Sequence, residues 1–306
     1  MSLASDKFYA FPYKDVPSCW RRLYVDSSII RALAQKRQGQ TSVVTLDMAL
    51  IMAGGQGRQK TIHKLLENTA QQPPASETNL PETFPITPPK VQLQHPIPRV
   101  KAPSLEWFQN HMDKVHTPLI LTATLSHWNA LKTWPSPQYW LSKTINGTRL
   151  IPIELGETYV SDHWTQALMP FSHFLHTHLL PSPSTTTAPL GYLAQHNLFA
   201  QIPSLRADIS VPDYCFCVPP ERPPDEPLVG YVATEDVMEN IWLGPGGTKS
   251  PLHNDPYENV FAQVVGYKYF RLYPPRETPK LYPRGVEGGI QIGNTSQVGF
   301  HVVRGW

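Results

Sequence analysis

Cysteine and charge are both scarce in this chain. Cys19, Cys215 and Cys217 are the only cysteines among 306 residues. An odd number at these spacings does not suit a disulfide framework, and Cys-x-Cys is not the usual zinc spacing. The three read as ordinary reduced thiols, as expected in a reducing compartment. Charged residues make up only 16% of the chain, with a net charge of +2. That balance is too weak to argue for bulk nucleic-acid binding. No run approaches the ~18 apolar residues of a membrane-spanning helix. The N-terminal MSLASDKFYAFPYKDV has no apolar segment of the kind a secretory signal needs. These absences predict a soluble, intracellular protein with no membrane or direct nucleic-acid partner, and its expected place is the nucleus and/or cytoplasm. The oligomeric state is left open.

Proline, by contrast, is frequent at 33 residues. Combined with low charge, this favours a loop-rich protein around a β core over a coiled coil. The length holds one sizeable domain and an accessory segment. Residues 1–70 read as a helical accessory region. Ser27 and Ser28 are placed to cap a helix over 27–36, a short apolar helix over 46–53 ends at Gly54-Gly55, and 58–68 carries Ile62, Leu65 and Leu66 on one face. Such a bundle packs on the main domain or recruits a partner. Residues 71–103 hold nine prolines and read as a linker, since proline removes amide donors and biases its predecessor towards extended conformations. Residues 104–306 form the main domain. It begins with a helix carrying Leu105, Phe108, Met112 and Val115 on one side. A buried strand is expected at 119–123 and an alternating strand at 149–155. Trp128, Leu131, Trp134, Tyr139 and Trp140 form an aromatic cluster that reads as core. His173, His176 and His178 lack the i, i+4 spacing of a helical metal pair and read as surface histidines. Low-complexity and proline-rich loops follow at 181–189 and 219–227. Residues 192–199 read as a turn and helix, and 230–243 as a return to β structure, with Trp242 packing into the core.

The stretch with the most chemistry is NIWLGPGGTKSPLHNDPYENVFAQVVGYKYFRLYPP, residues 240–275. On an extended segment His253 and Asp255 point to the same side, because side chains alternate with period two. An imidazole beside a carboxylate supplies two of the three ligands of the facial site that holds non-haem Fe(II). Taken alone, His-x-Asp also fits a surface turn whose aspartate accepts backbone hydrogen bonds. Two β-rich runs are expected around Gly266. In the second, Lys268, Phe270 and Leu272 share a face, and an ammonium among apolar groups is costly unless it meets an anion. With Asn259 as a further polar group, the pattern suggests a pocket for a small carboxylate beside a metal.

HNDPYENVFAQVVGYKYFRLYPP resembles the core of the JmjC oxygenases, which use Fe(II) and 2-oxoglutarate. The run IPIELG with Tyr159 after it, GYLAQHNLFAQIP, DISVPDYC and the LYP…NTSQV segment are similar to the same family in the same order, from about residue 103 to 298. The resemblance implies an α+β chain: a helical N-terminal region, then a JmjC/cupin-like double-stranded β-helix. It implies His253 and Asp255 as iron ligands. Lys268, Asn259, Tyr159 and Ser250 become contacts to the co-substrate, and the prime substrate becomes a protein or peptide that is hydroxylated or demethylated.

One element of the family pattern is missing. The second iron histidine of JmjC relatives falls on a late barrel strand, at a spacing from His253 that lies beyond Trp306. Only His301 follows, within GFHVVRGW, which no longer looks like the family. The expectation is therefore a domain truncated at its C-terminus, an incomplete barrel with exposed apolar faces and unpaired edges, and weak or absent activity. The alternatives are a non-catalytic JmjC-like interaction module and a cupin-like metal-binding or sugar-isomerase protein.

Overall fold

The computed structural model describes residues 2–69, 79–180, 189–220, 236–287 and 290–298. All but the last residue of the loop read at 181–189, most of the proline-rich loop at 219–227, the first part of the 230–243 run and His301 lie outside the described residues.

The N-terminal region is helical. Helices α1 (Ser2–Phe8), α2 (Ser18–Arg37), α3 (Val43–Ala53) and α4 (Gln59–Glu67) enclose a core of Phe8, Tyr24, Val25, Leu46, Leu50 and Ile62. Ser27 and Ser28 do not cap a helix. Helix α2 starts nine residues before Ser27, directly after Pro17, where a proline pre-sets the backbone for helix entry. Ser28 is buried mid-helix, and its hydroxyl donates to the Tyr24 carbonyl at 2.7 Å. Helix α3 ends as the sequence indicates, at Gly54 with φ 61°. This left-handed position is one that glycine adopts without strain.

Part of the proline-rich span is ordered against the domain. Leu80 and Phe84 pack on the main core, and the Phe84 amide donates to the Pro135 carbonyl at 2.8 Å. Strand β1 (Arg99–Lys101) pairs in parallel with β2 (Ile120–Thr122). The strand expected to be buried at 119–123 is thus only half-buried, because it joins a two-stranded unit rather than the central sheet. Between β1 and β2 lies α5 (Leu105–Lys114), capped by the Ser104 hydroxyl, which accepts from the Trp107 amide at 3.1 Å.

Helices α6 (Ala130–Thr133) and α7 (Pro137–Lys143) carry the aromatic cluster, and Trp128, Trp134 and Trp140 are buried as core. Three polar groups of this region, from Asn129, Trp134 and Tyr139, converge on the buried Asp208. Trp134 Nε1 donates to it at 3.0 Å, Asn129 Nδ2 at 2.9 Å, and the Tyr139 hydroxyl closes the set. Burial alone raises a carboxyl pKa; here these donors outweigh it and hold the Asp208 pKa below its usual value.

The central antiparallel sheet is built from β3 (Leu150–Leu155), β4 (Thr165–Pro170), β5 (Gly191–His196) and β6 (Ile241–Leu243), in the order β4-β3-β5-β6. After β4 the chain forms α8 (Phe171–Phe174) and a single π-helical turn, Leu175–Leu179. After β5 it forms α9 (Leu198–Gln201). Ile151, Ile153 and Leu193 face Trp140, Phe171 and Phe174 in the core. A small hairpin, β7 (Val286–Glu287) with β8 (Ile290–Gln291), follows. The chain is α+β, and among the described residues its main sheet is open at β4 and β6.

Other expectations change. Residues 191–196 are a strand, with Gly191 and Leu193 buried between half-buried neighbours; the helix begins only at Leu198. His178 is not a surface histidine. It is buried, with its ring 5.7 Å from Phe174, and a Cβ built on Gly191 would lie 2.7 Å from the imidazole. Trp242 is 38% exposed rather than core-packed. The two β runs expected around Gly266 are absent as ladders. Residues 254–274 form no strand, and the chain turns at Gly266 with φ 77°. Their apolar alternation has no neighbouring strand to lie on among the described residues. No described helix is long and apolar enough to cross a membrane.

Candidate functional site

The loop after β6 brings His253 and Asp255 together. Backbone bonds pin this loop to residues 294–296. The Asn254 amide donates to the Asn294 carbonyl at 3.0 Å, and the Ser296 amide donates to the Leu252 carbonyl at 2.8 Å. The result is an isolated antiparallel bridge between His253 and Thr295. The His253 Nδ1 donates to the Pro251 carbonyl at 2.7 Å, which leaves the Nε2 lone pair directed away from the backbone. That nitrogen lies 3.7 Å from Asp255 Oδ2, and the two side chains are 31% and 42% exposed. Asp255 raises the His253 pKa above its ordinary value, against the opposing effects of burial and of the Lys268 charge. The same imidazole lowers the Asp255 pKa.

Lys268 forms the second part of the site. Its ammonium donates to the Tyr192 hydroxyl at 3.0 Å. It lies 5.3 Å from the Phe261 ring centre, 5.6 Å from Tyr192 and 5.7 Å from Phe270. These are cation–π distances. The side chain stays exposed to solvent, and its partial burial by these rings lowers its pKa. Among the described residues no carboxylate pairs with it. Tyr192 enters from β5 opposite Glu154 of β3. Burial, then the nearby Glu154 charge, push its phenol up to about 12, so it stays protonated and able to donate. Gly244 admits the Tyr192 ring, since a Cβ there would lie 2.5 Å from Tyr192 Cδ2.

Tyr159 links the site to the 294–296 segment. Its hydroxyl shares a hydrogen bond with Thr295 Oγ1 at 3.3 Å, and its ring stands edge-on to His253 at 6.4 Å. Glu154 has a raised pKa because burial disfavours its charge. Ser250 is half-buried three residues before His253, whereas Asn259 is exposed on the loop that follows. Among the described residues no group of three or more His, Cys, Asp or Glu side chains gathers around one point.

Residues 104–303 match the model of the cupin-like domain family. The chain is 33% identical over 302 residues to lysine-specific demethylase 8 of Danio rerio, covering 94% of this chain and 70% of that protein. It is 40% identical over 210 residues to lysine-specific demethylase 8 of Xenopus tropicalis, which is 69% of this chain and 42% of the relative. It is 39% identical over 223 residues to Jumonji C domain-containing protein 5 of Drosophila melanogaster, 72% of this chain and 50% of the relative. The chain belongs to the cupin-like JmjC family. It spans about half the length of the Xenopus and Drosophila relatives.

Within this JmjC domain the structure brings His253, Asp255 and Tyr159 into one group and Lys268 into a second that the His253 pKa senses electrostatically. Reading the sequence missed Tyr192, Glu154 and Thr295 as site residues. Tyr192 was hidden by reading 192–199 as turn and helix. The alternation of this strand shows only in its burial, with Gly191 and Leu193 inward and Tyr192 between them. Thr295 and Glu154 lie far from the motif in sequence, and only the fold reveals their proximity.

Proposed function

We propose that this JmjC chain is an Fe(II)- and 2-oxoglutarate-dependent oxygenase acting on a protein or peptide. The observation that carries the reading is Lys268: an ammonium bonded to a protonated phenol and edged by Phe261 and Phe270, without a carboxylate partner among the described residues. Such a pair suits a small dicarboxylate, because a charge-assisted hydrogen bond from an ammonium is among the strong ones. The donor set fits two positions of an iron site. His253 offers Nε2 with its other nitrogen fixed by a carbonyl, the usual support for a ligating imidazole, and Asp255 offers a carboxylate 3.7 Å away. Fe(II) with 2-oxoglutarate, when bound, supplies oxidative hydroxylation of a C–H bond.

This chain's own residues would do the rest. His253 and Asp255 hold the metal, and Lys268 with Tyr192 holds the far carboxylate of the co-substrate. Phe261 and Phe270 flank the ammonium with their rings, and Ser250 and Asn259 offer further polar contacts. Tyr159 orients His253 through ring contact and its bond to Thr295. Glu154, half-buried beside Tyr192, suits a cationic side chain of the substrate, in keeping with the lysine in the relatives' names. Nucleus and cytoplasm are the compartments in which we expect it.

The absence of a third ligating side chain among the described residues favours one second reading, a JmjC module that binds a protein partner without turnover. The experiment is succinate release from 2-oxoglutarate by the purified chain with Fe(II) and ascorbate, beside His253→Ala. Release above the variant supports the oxygenase. Equal release from both favours the non-catalytic module.

A further inference from the structure

The helical N-terminal region makes one deeply buried polar connection to the sheet, centred on Asp47 of α3. Asp47 is fully buried. Its carboxylate accepts from Arg149 Nε at 2.9 Å and Nη2 at 2.7 Å, from the Leu150 amide at 2.8 Å, and from Gln201 Nε2 at 3.1 Å. Gln201 also donates to the Leu150 carbonyl at 2.6 Å, and its Oε1 accepts from His196 Nε2 at 2.8 Å. Arg149 closes the loop with a bond to the Gln201 carbonyl at 2.8 Å. Arg149 and Gln201 are both nearly fully buried, so the bonds to Asp47 form away from water, while the bond to His196 is part-buried.

His196 is the last residue of β5, and β5 is irregular just before it. Leu193 pairs with Leu243 and His196 with Ile241, so β5 carries one more residue than β6 between the same two pairings. The extra residue is a bulge, and Gln195 within it has φ 48°. Bulges re-aim side chains beside functional sites. A one-residue slip turns every side chain of a strand to its opposite face. Tyr192 lies on the far side of this bulge from His196, on the same strand.

We propose that Asp47 is a positioning residue for the carboxylate site. Through Gln201 and His196 it fixes the bulged register of β5, and that register turns Tyr192 towards Lys268. The N-terminal helices are then part of the co-substrate site rather than a tethered recruiting module. The proposal rests on the co-substrate reading given above.

The test uses the full chain, with Asp47→Asn compared to Val25→Ala, which loosens the helical core away from Asp47. Melting temperature, 2-oxoglutarate binding in the presence of Mn(II), and amide exchange along 193–196 are measured for both. The expected result is a tenfold or greater loss of 2-oxoglutarate affinity and faster β5 exchange in Asp47→Asn. Val25→Ala lowers the melting temperature and leaves both readouts at wild-type values. Equal affinity and equal β5 exchange in the two variants overturn the proposal and leave Asp47 a stability residue. If the wild-type chain binds no 2-oxoglutarate, the co-substrate reading fails and the β5 exchange comparison alone decides the role of Asp47. If Asp47→Asn does not fold, Gln201→Leu, which keeps the Asp47–Arg149 pair and cuts the connection to His196, is read in the same way.

Discussion

Lys268 is edged by aromatic rings, with Tyr192 as its hydrogen-bond partner. Hydrogen bonds to charged groups are worth about 1.5–3 kcal/mol and neutral ones about 1 kcal/mol. Lys268→Ala should therefore weaken 2-oxoglutarate binding by roughly 10- to 100-fold, and Tyr192→Phe by roughly fivefold. Calorimetric titration of both variants checks the order. A Tyr192→Phe protein that binds worse than Lys268→Ala contradicts the assignment. At this scale the sequence pointed to His253 and Asp255 as neighbours, which the structure places 3.7 Å apart, because their types and spacing carry the chemistry. It could not show Tyr192, Glu154 or Thr295, whose importance depends on strand pairing and a loop contact across the fold. It also misplaced His178, since one imidazole among three gives no sign of which one is buried.

Elements carry the next set of predictions. Asp47→Ala should destabilise the chain by about 3–5 kcal/mol, because it strands the buried Arg149 guanidinium without its anion; denaturant titration measures it. Gly191→Ala should cost about 1–3 kcal/mol, the usual cost of overfilling a packed core, since the new methyl would meet the His178 ring at 2.7 Å. The buried histidines add a pH dependence. Burial lowers the pKa of both His178 and His196 below the ordinary histidine value. The unfolded chain therefore takes up these protons at a higher pH than the folded chain. Their contribution to stability is complete above about pH 6.5 and is lost as pH falls through the folded pKa values. The melting temperature should fall as pH drops from 7 towards 5, and less so in His178→Gln if that variant folds. Helices α3, α4 and α5 and strand β3 were legible in the sequence because their periodicity and end signals agree. The stretch 254–274 was not, because β-rich alternation predicts a strand only where a neighbour completes the ladder. The start of α2 was misread because two serines suggested a cap while Pro17 set the true entry.

For the whole molecule, the surface around the site matters. Phe261, Tyr267, Tyr269, Phe270, Leu272 and Tyr273 are each 40–62% exposed on one loop segment. Contiguous apolar surface of this kind drives association. The purified chain should self-associate at micromolar concentration, and Leu272→Asp should reduce this; light scattering after size exclusion reads both. A monodisperse monomer that melts cooperatively would contradict it. The same surface surrounds Lys268, so association and co-substrate binding should compete. The central claim is that one site joins a His253–Asp255 metal pair to a Lys268–Tyr192 carboxylate pair. Titration of 2-oxoglutarate into the chain with and without Mn(II) tests it most directly. The account predicts binding that strengthens with Mn(II), loses that gain in His253→Ala, and weakens in Lys268→Ala with or without the metal. Binding that ignores Mn(II), or that survives Lys268→Ala unchanged, would contradict it.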